Sequence, residues 1–160
     1  MNHFFIRILS LLATILAVCC ILSGVTACDK DTILQHYNKV LQAAGELICT
    51  PDAALQGTRV PGEDGYTGSY TAAYHDFSGT EILFGGTALK RTAGDTVTVS
   101  CTMSGTGGYA KVLFRSGNDA PKTLLEDSGA FSETLTLPAG SNSIEIALTD
   151  YSGEFQITVI

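Results

Sequence analysis

Few residues of this chain have the chemistry to act at a reacting bond. Its 160 residues include five cysteines (Cys19, Cys20, Cys28, Cys49 and Cys101) and three histidines (His3, His36 and His75). A Cys101–His75 pair would be a nucleophile with its base. However, Cys101 alternates with Val97 and Val99 in "DTVTVSCTM", so its thiol is expected on a buried face, where a raised pKa makes it inert. Zinc needs three or four Cys/His ligands at suitable spacing, and the sequence offers no such set. H-E-x-x-H, C-x-x-C and G-x-S-x-G are all missing. Oxygen ligands are the remaining choice. Asp76 and Asp150, with Asp119 and Glu81, fall at or near expected turns and are weak calcium candidates. No D-x-D-x-D-G spacing supports them, and capping of turns by Asp is the commoner use. No cofactor and no catalytic residue are therefore expected, and the chain is read as a non-enzyme.

The elements that carry these residues begin with a targeting segment. Arg7 is the only charged side chain before Asp29, and "ILSLLATILAVCCIL" from Ile8 to Leu22 is uncharged. A basic start, an apolar stretch and small residues near a cut make a secretory signal over 1–27, which includes the expected signal helix. Val25-Thr26-Ala27-Cys28 then looks like a bacterial lipobox, whose cysteine receives a diacylglyceryl group on sulfur. Ordinary cleavage before Cys28 and an uncleaved anchor over Ile8–Ala27 are the competing readings. Under the lipobox reading, Cys28 is the lipid-attachment residue and the chain is tethered to the outer face of the cytoplasmic membrane or cell envelope. Cys19 and Cys20 leave with the signal, so Cys49 and Cys101 remain. They either pair as a disulfide, which an oxidising compartment favours, or sit apart as buried thiols.

Residues 28–49 follow the anchor. Asp31 and Thr32 are suited to cap a helix in which Ile33, Tyr37, Val40, Ala44 and Leu47 recur at helical spacing, with Pro51 as the stop. This short amphipathic helix packs its stripe on the following domain or offers it to a partner. Residues 50–67, with two Pro and three Gly, read as a linker or long loop. From 68 to 160 the period becomes two. "DTVTVSCTM", "YAKVLFRS" and the sets Ile144/Ile146/Leu148 and Phe155/Ile157/Val159 are half-buried strands. "SYTAAYHDF" and "TEILFGGTALK" are of similar length, and Tyr70 and Tyr74 share a face with Ala72. Seven to eight short strands punctuated by Gly, Pro and Asn predict an all-β domain, an antiparallel β-sandwich. "HDFSGTE" (75–81) and "TDYSGEF" (149–155) echo one another, which is read as one turn chemistry used twice.

The runs "AGDTVTVSC", "AKVLFRSGNDAP" and "LTLPAGSNSIEIALTDYSGEFQITV" resemble the small jelly-roll accessory domains of secreted bacterial proteins. They are similar in particular to the pre-peptidase C-terminal type and to some carbohydrate-binding modules. The likeness covers about residues 68–160 and extends to small secreted lipoproteins in which such a sandwich stands alone. It implies a jelly-roll-like fold and a binding role, with one structural calcium in some members. The chain departs from carbohydrate modules in having no Trp.

Composition narrows the partners. With 9 Lys+Arg against 16 Asp+Glu the formal charge is -7, and Lys90-Arg91 is the one basic pair, so nucleic acid is excluded as a partner. Glycan binding wants aromatic faces beside polar groups. Tyr66 and Tyr109 in Gly-rich stretches, with Arg115 and Asn118 near Tyr109 in sequence, are the candidate ligand contacts. The expected function is a lipid-anchored extracytoplasmic binding or interaction module without catalysis, its ligand a glycan, a cell-envelope component or a protein. The alternative is an accessory subunit of a membrane-associated complex that docks through the helix at 32–48.

Overall fold

Alternation of apolar and polar residues along 68–88, 96–116 and 140–159 produces three strands of unusual length. The computed structural model describes residues 29–160; the signal segment, its expected helix and Cys28 lie outside the described residues. Strands β1 (Thr58–Pro61), β2 (Gly68–Ala88), β3 (Thr96–Ser116), β4 (Lys122–Glu126), β5 (Gly129–Thr136) and β6 (Gly140–Val159) form one antiparallel sheet in the order β1-β2-β6-β3-β4, with β5 also on β3. The sandwich expected from the sequence is present, with six strands instead of seven or eight. "SYTAAYHDF" and "TEILFGGTALK" are two halves of β2, and β3 and β6 likewise each join two expected strands.

The joints between those halves are bulges, and they make the sandwich. Pairing of β2 with β6 slips between Tyr74 and Phe77 and again between Phe77 and Gly79. Each slip sets two residues of one strand against one of the other, His75 and Asp76 of β2 against Ser152 and then Thr149 and Asp150 of β6 against Ser78, and both Asp76 and Asp150 have φ of 48°. The two segments lock reciprocally. Ser152 Oγ accepts from the Asp76 N–H at 2.9 Å and donates to Asp76 Oδ1 at 3.1 Å. Ser78 Oγ accepts from the Asp150 N–H at 2.8 Å and donates to Asp150 Oδ1 at 2.9 Å. The echo of "DFSG" in "DYSG" is thus a correction to the turn reading: the two copies face each other across mid-strand as a pseudo-twofold pair of bulges. β3 slips at the same level, between Gly105 and Tyr109. A Cβ on Gly108 (φ +75°) would lie 2.1 Å from Asp150 O, so the close approach requires glycine. Bulges bend and twist a strand. With all three long strands bent together, the sheet folds over itself.

One layer therefore holds β1, the first halves of β2 and β3, the second half of β6, and β5. The other holds the remaining halves and β4. Their inner faces share one core, in which Tyr70, Tyr74, Val99 and Ile157 of the first layer meet Leu83, Val112 and Ile146 of the second, all almost fully buried. A polar tie runs through it. Glu81, 2 % exposed, accepts on Oε2 from the Tyr70 and Tyr74 hydroxyls at 2.8 and 2.5 Å, and on Oε1 from the Gln56 N–H at 2.6 Å.

Before the sheet, α1 (Lys30–Gly45) is followed by a 3₁₀ turn at Glu46–Ile48. Its start is capped by Asp29, which accepts from the Asp31 N–H at 3.2 Å, two residues ahead of the expected cap. It ends at Gly45 and not at Pro51. A Cβ at Gly45 would lie 2.1 Å from Thr87 N, so glycine is what lets the helix end meet β2. Asn38–Ile160 form one compact unit, within which the later turns of α1 are held by their polar edge. Asn38 Nδ2 donates to Lys90 O at 2.6 Å, Asn38 Oδ1 accepts from the Leu89 N–H at 2.9 Å, and Gln42 Nε2 donates to Lys90 O at 3.3 Å. The expected packing of the apolar stripe is not found: Val40 and Leu47 are 66 % and 85 % exposed.

The span 50–67 is a loop with its own strand, β1. Arg59 pins it, donating to Asp52 Oδ1 at 2.9 and 2.5 Å, Thr50 O at 2.8 Å and Leu83 O at 3.0 Å.

Candidate functional site

The bend divides the outward side chains of each long strand into two chemistries. In the first layer, the positions between buried core residues are Thr and Ser in unusual density: Ser100, Thr102 and Ser104 on β3, Ser132 and Thr134 on β5, Ser69 and Thr71 on β2. Gln156 and Thr158 of β6 lie between them in register. Cross-strand hydroxyl pairs order the array, with Thr98 to Thr134 at 3.0 Å and Ser100 to Ser132 at 2.8 Å. Each hydroxyl keeps further capacity to donate or accept. Glu154 is the charged side chain of this array, at its border by the bend.

The surface here is a track of three open hollows. One, of about 240 Å³, is lined by Thr71, Thr102, Ser104, Glu154 and Gln156. It shares Thr102 and Gln156 with a second of about 390 Å³, which adds Ser100, Ser132 and Thr158. Thr158 leads on to a third of about 480 Å³ containing Val60, Ser69 and Ile160. Val60 and Ile160 are 57 % and 75 % exposed, so this end of the track offers aliphatic surface. From Glu154 to Ile160 the track follows one strand for about 20 Å. Such a surface can hydrogen-bond a neutral, hydroxyl-bearing chain and cover its apolar edges. Arg91 and Glu63 also line the third hollow, but Arg91 is buried and already paired with Asp64 at 2.6 Å, so it is not free to fix an anion.

The residues expected to bind a ligand do not come together. Tyr66 is 7 % exposed and belongs to the core, a correction to its reading as a loop aromatic. Its N–H donates to Asp64 Oδ1 at 3.1 Å, and Arg91, paired with Asp64 at 2.6 Å, lies over its ring at 5.8 Å. Burial pushes its hydroxyl up to about 12. Arg91 is therefore used internally and forms no basic patch with Lys90. Tyr109 is 40 % exposed beside the bend, with Lys111 Nζ 5.2 Å from its ring centre. Arg115 shares that outer face of the second layer but lies six residues along, about 20 Å away by strand geometry. There it is bound by Glu145 at 2.9 Å, which also accepts from Ser143 Oγ at 2.8 Å. Asn118 sits in the exposed turn after β3.

Chemistry at the cysteines is equally dispersed. Cys101 is buried, and desolvation pushes its thiol up to about 11. His75 is on the exposed side of β2, so the two do not form a pair. The Cys49–Cys101 bridge is not formed: Cys101 lies in the core of the first layer, while the Cys49 thiol donates to Gly85 O of the second at 3.7 Å. Of the calcium candidates, Glu81 is in the core and not at a turn, Asp76 and Asp150 are the bulge residues, and Asp119 closes the exposed turn by donating its N–H to Ser116 O at 3.1 Å. Among the described residues no group of three or more Cys, His, Asp or Glu is arranged to hold a metal ion.

The hydroxyl array was visible in the sequence as Thr96, Thr98, Ser100 and Thr102 opposite the buried face of β3. What the sequence did not reveal is that β5 and β6 extend it sideways.

No family model matches the chain. No curated protein matches it in sequence. Among solved structures it is similar to Xyl-CBM35, solved in complex with a glucuronic acid containing disaccharide (16% identity, covering 66% of this chain and 83% of that one, TM-score 0.40). It is also similar to a carbohydrate-binding module from Cellvibrio mixtus lichenase 5A in complex with cellotriose (12% identity, 72% and 92% covered, TM-score 0.35). A third likeness is to PliG, a periplasmic inhibitor of g-type lysozyme from Aeromonas hydrophila (10% identity, 63% and 92% covered, TM-score 0.36). Likeness at this level says nothing about what this chain binds.

Proposed function

We propose that this chain is a non-catalytic binding module, held outside the cytoplasmic membrane through a lipid on Cys28, that takes a neutral polysaccharide chain on the outer face of its first layer. The observation that carries the reading is the continuous track from Glu154 to Ile160, built mainly from hydroxyl, amide and aliphatic groups of five adjacent strands. Hydroxyls and a carboxamide both donate and accept, which matches the two-way hydrogen bonding of a polyol. The charged groups along the track, Glu154, Glu63 and an Arg91 already paired with Asp64, disfavour anionic polymers. Thr102 and Gln156, which line two hollows at once, are the residues assigned to hold the chain.

Affinity electrophoresis through gels containing a neutral β-glucan, xylan or mannan tests this. Retardation by at least one is expected. The double substitution Thr102→Ala/Gln156→Ala, which removes about two net hydrogen bonds, is expected to weaken retention roughly tenfold. Passage through all three gels without retardation would overturn the reading. Intact mass of the native protein reads the lipid on Cys28 separately. A second reading, an accessory subunit docking through residues 32–48, draws on the exposure of Val40 and Leu47.

A further inference from the structure

An amphipathic helix beside a folded domain normally buries its apolar side. Here the order is reversed. The bonds that hold α1 come from Asn38 and Gln42, which lie on the side opposite Val40 in a helix of 100° per residue. Val40 and Leu47 are left exposed, and Ile33 and Tyr37, which continue the same stripe, are each 54 % exposed. The stripe spans about four turns, about 21 Å.

What covers it follows from the chain ahead of it. The uncharged run Ile8–Leu22 ends eight residues before Lys30, and Cys28 precedes the helix by two residues, a reach of about 7 Å. A membrane attachment at either place brings the start of α1 to the bilayer surface. Charge agrees. The helix carries Lys30 and Lys39 against Asp31, a small positive excess in a chain of net -7, so it is the segment that anionic head groups do not repel. Among the described residues no helix is long and apolar enough to cross a membrane.

We infer that α1 and the 3₁₀ turn after it rest on the phospholipid bilayer through Ile33, Tyr37, Val40 and Leu47, and that the Asn38–Lys90 contact fixes the sandwich against that surface. The inference rests on the membrane tether proposed above, whether through the Cys28 lipid or the apolar run. Its consequence is orientation: the domain is held at a defined angle and does not swing on a flexible leash.

The chain contains no Trp, so single tryptophans report without background. The full chain is reconstituted in phosphatidylethanolamine–phosphatidylglycerol vesicles with brominated acyl chains, as Val40→Trp or Gln35→Trp. Strong quenching is expected for Val40→Trp, and little for Gln35→Trp on the polar side, with unchanged melting of both variants. Equal quenching of the two, or none, would overturn the inference. So would a blue-shifted but unquenched Val40→Trp, which would assign the stripe to a protein or a second copy of the chain. The anchor is read separately by the intact mass at Cys28. A bare Cys28 with the Val40→Trp pattern intact removes the lipid and keeps the helix placement; an acylated Cys28 without the pattern does the reverse.

Discussion

The two layers of this sandwich are made from the same three strands, yet their outer faces differ in kind. On the first layer, β3 turns Ser100, Thr102 and Ser104 outward and finds Ser, Thr and Gln on its neighbours. On the second, β3 turns Tyr109, Lys111 and Arg115 outward, and these are engaged where they stand, Lys111 with Glu126 at 3.3 Å and Arg115 with Glu145. The second face thus satisfies its charged groups internally. The first keeps unspent hydrogen-bonding capacity over a connected track. Charge and aromatic rings, the usual marks of a site, here lie on the face that has least to offer a ligand.

The comparison depends on the layers being tied, and the largest expected effect is on that tie. Glu81→Ala would strand two buried tyrosine hydroxyls and the Gln56 N–H, and is expected to cost about 3–5 kcal/mol in urea denaturation. A loss below about 1 kcal/mol would mean that the layers hold by apolar packing alone. Next comes the bend. Gly108→Ala would force a Cβ against the Asp150 carbonyl from a left-handed conformation, at about 3 kcal/mol or more.

The bulges sharpen the picture through their symmetry. Asp76→Ala and Asp150→Ala should each cost about 1–2 kcal/mol, and equally, because each removes the same bond to the facing serine. A clear inequality in melting temperature would show that the pseudo-twofold is one of sequence only.

Alkaline pH probes the core. Tyr66 is raised from 10.0 to about 12 and Cys101 from 9.0 to about 11, in both cases first by burial. A group raised in the folded state stays protonated there while the unfolded chain loses its proton, so stability is full below the unfolded value and falls as pH rises. Denaturation midpoints should accordingly be flat below about pH 9 and decline between pH 9 and 12. A flat profile to pH 12 would contradict the burial of these two groups. The smallest stability effect belongs to the track. Thr102→Ala and Gln156→Ala should each move stability by no more than about 0.5 kcal/mol, since both are exposed.

How much of this could be read in the sequence depends on the range of the interaction. Alternation around Val97, Val99 and Cys101 is local and announced an inward face. The fold class followed from it. The joints did not follow, because Asp with Ser and Gly is turn chemistry and bulge chemistry alike, and only pairing of residue 76 with residue 152 separates them. Glu81 reads as a turn residue in sequence because its partners, Tyr70 and Tyr74, reach it only after the strand bends back. Tyr66 looked like a loop aromatic because the clamp that buries it, Asp64 with Arg91, spans 27 residues. The stripe on α1 was plain in sequence. Its outward orientation was not, since that rests on Asn38 and Gln42 finding Lys90 half a domain away.

Amide chemical-shift mapping tests the central claim most directly, using an oligosaccharide from whichever polysaccharide retards the protein. Shifts confined to the first layer, from Thr96 to Ser104, Ser132 to Thr134 and Glu154 to Ile160, are the predicted result. Shifts centred on Tyr109 and Arg115, with the hydroxyl track silent, would contradict it and move the binding face to the other layer.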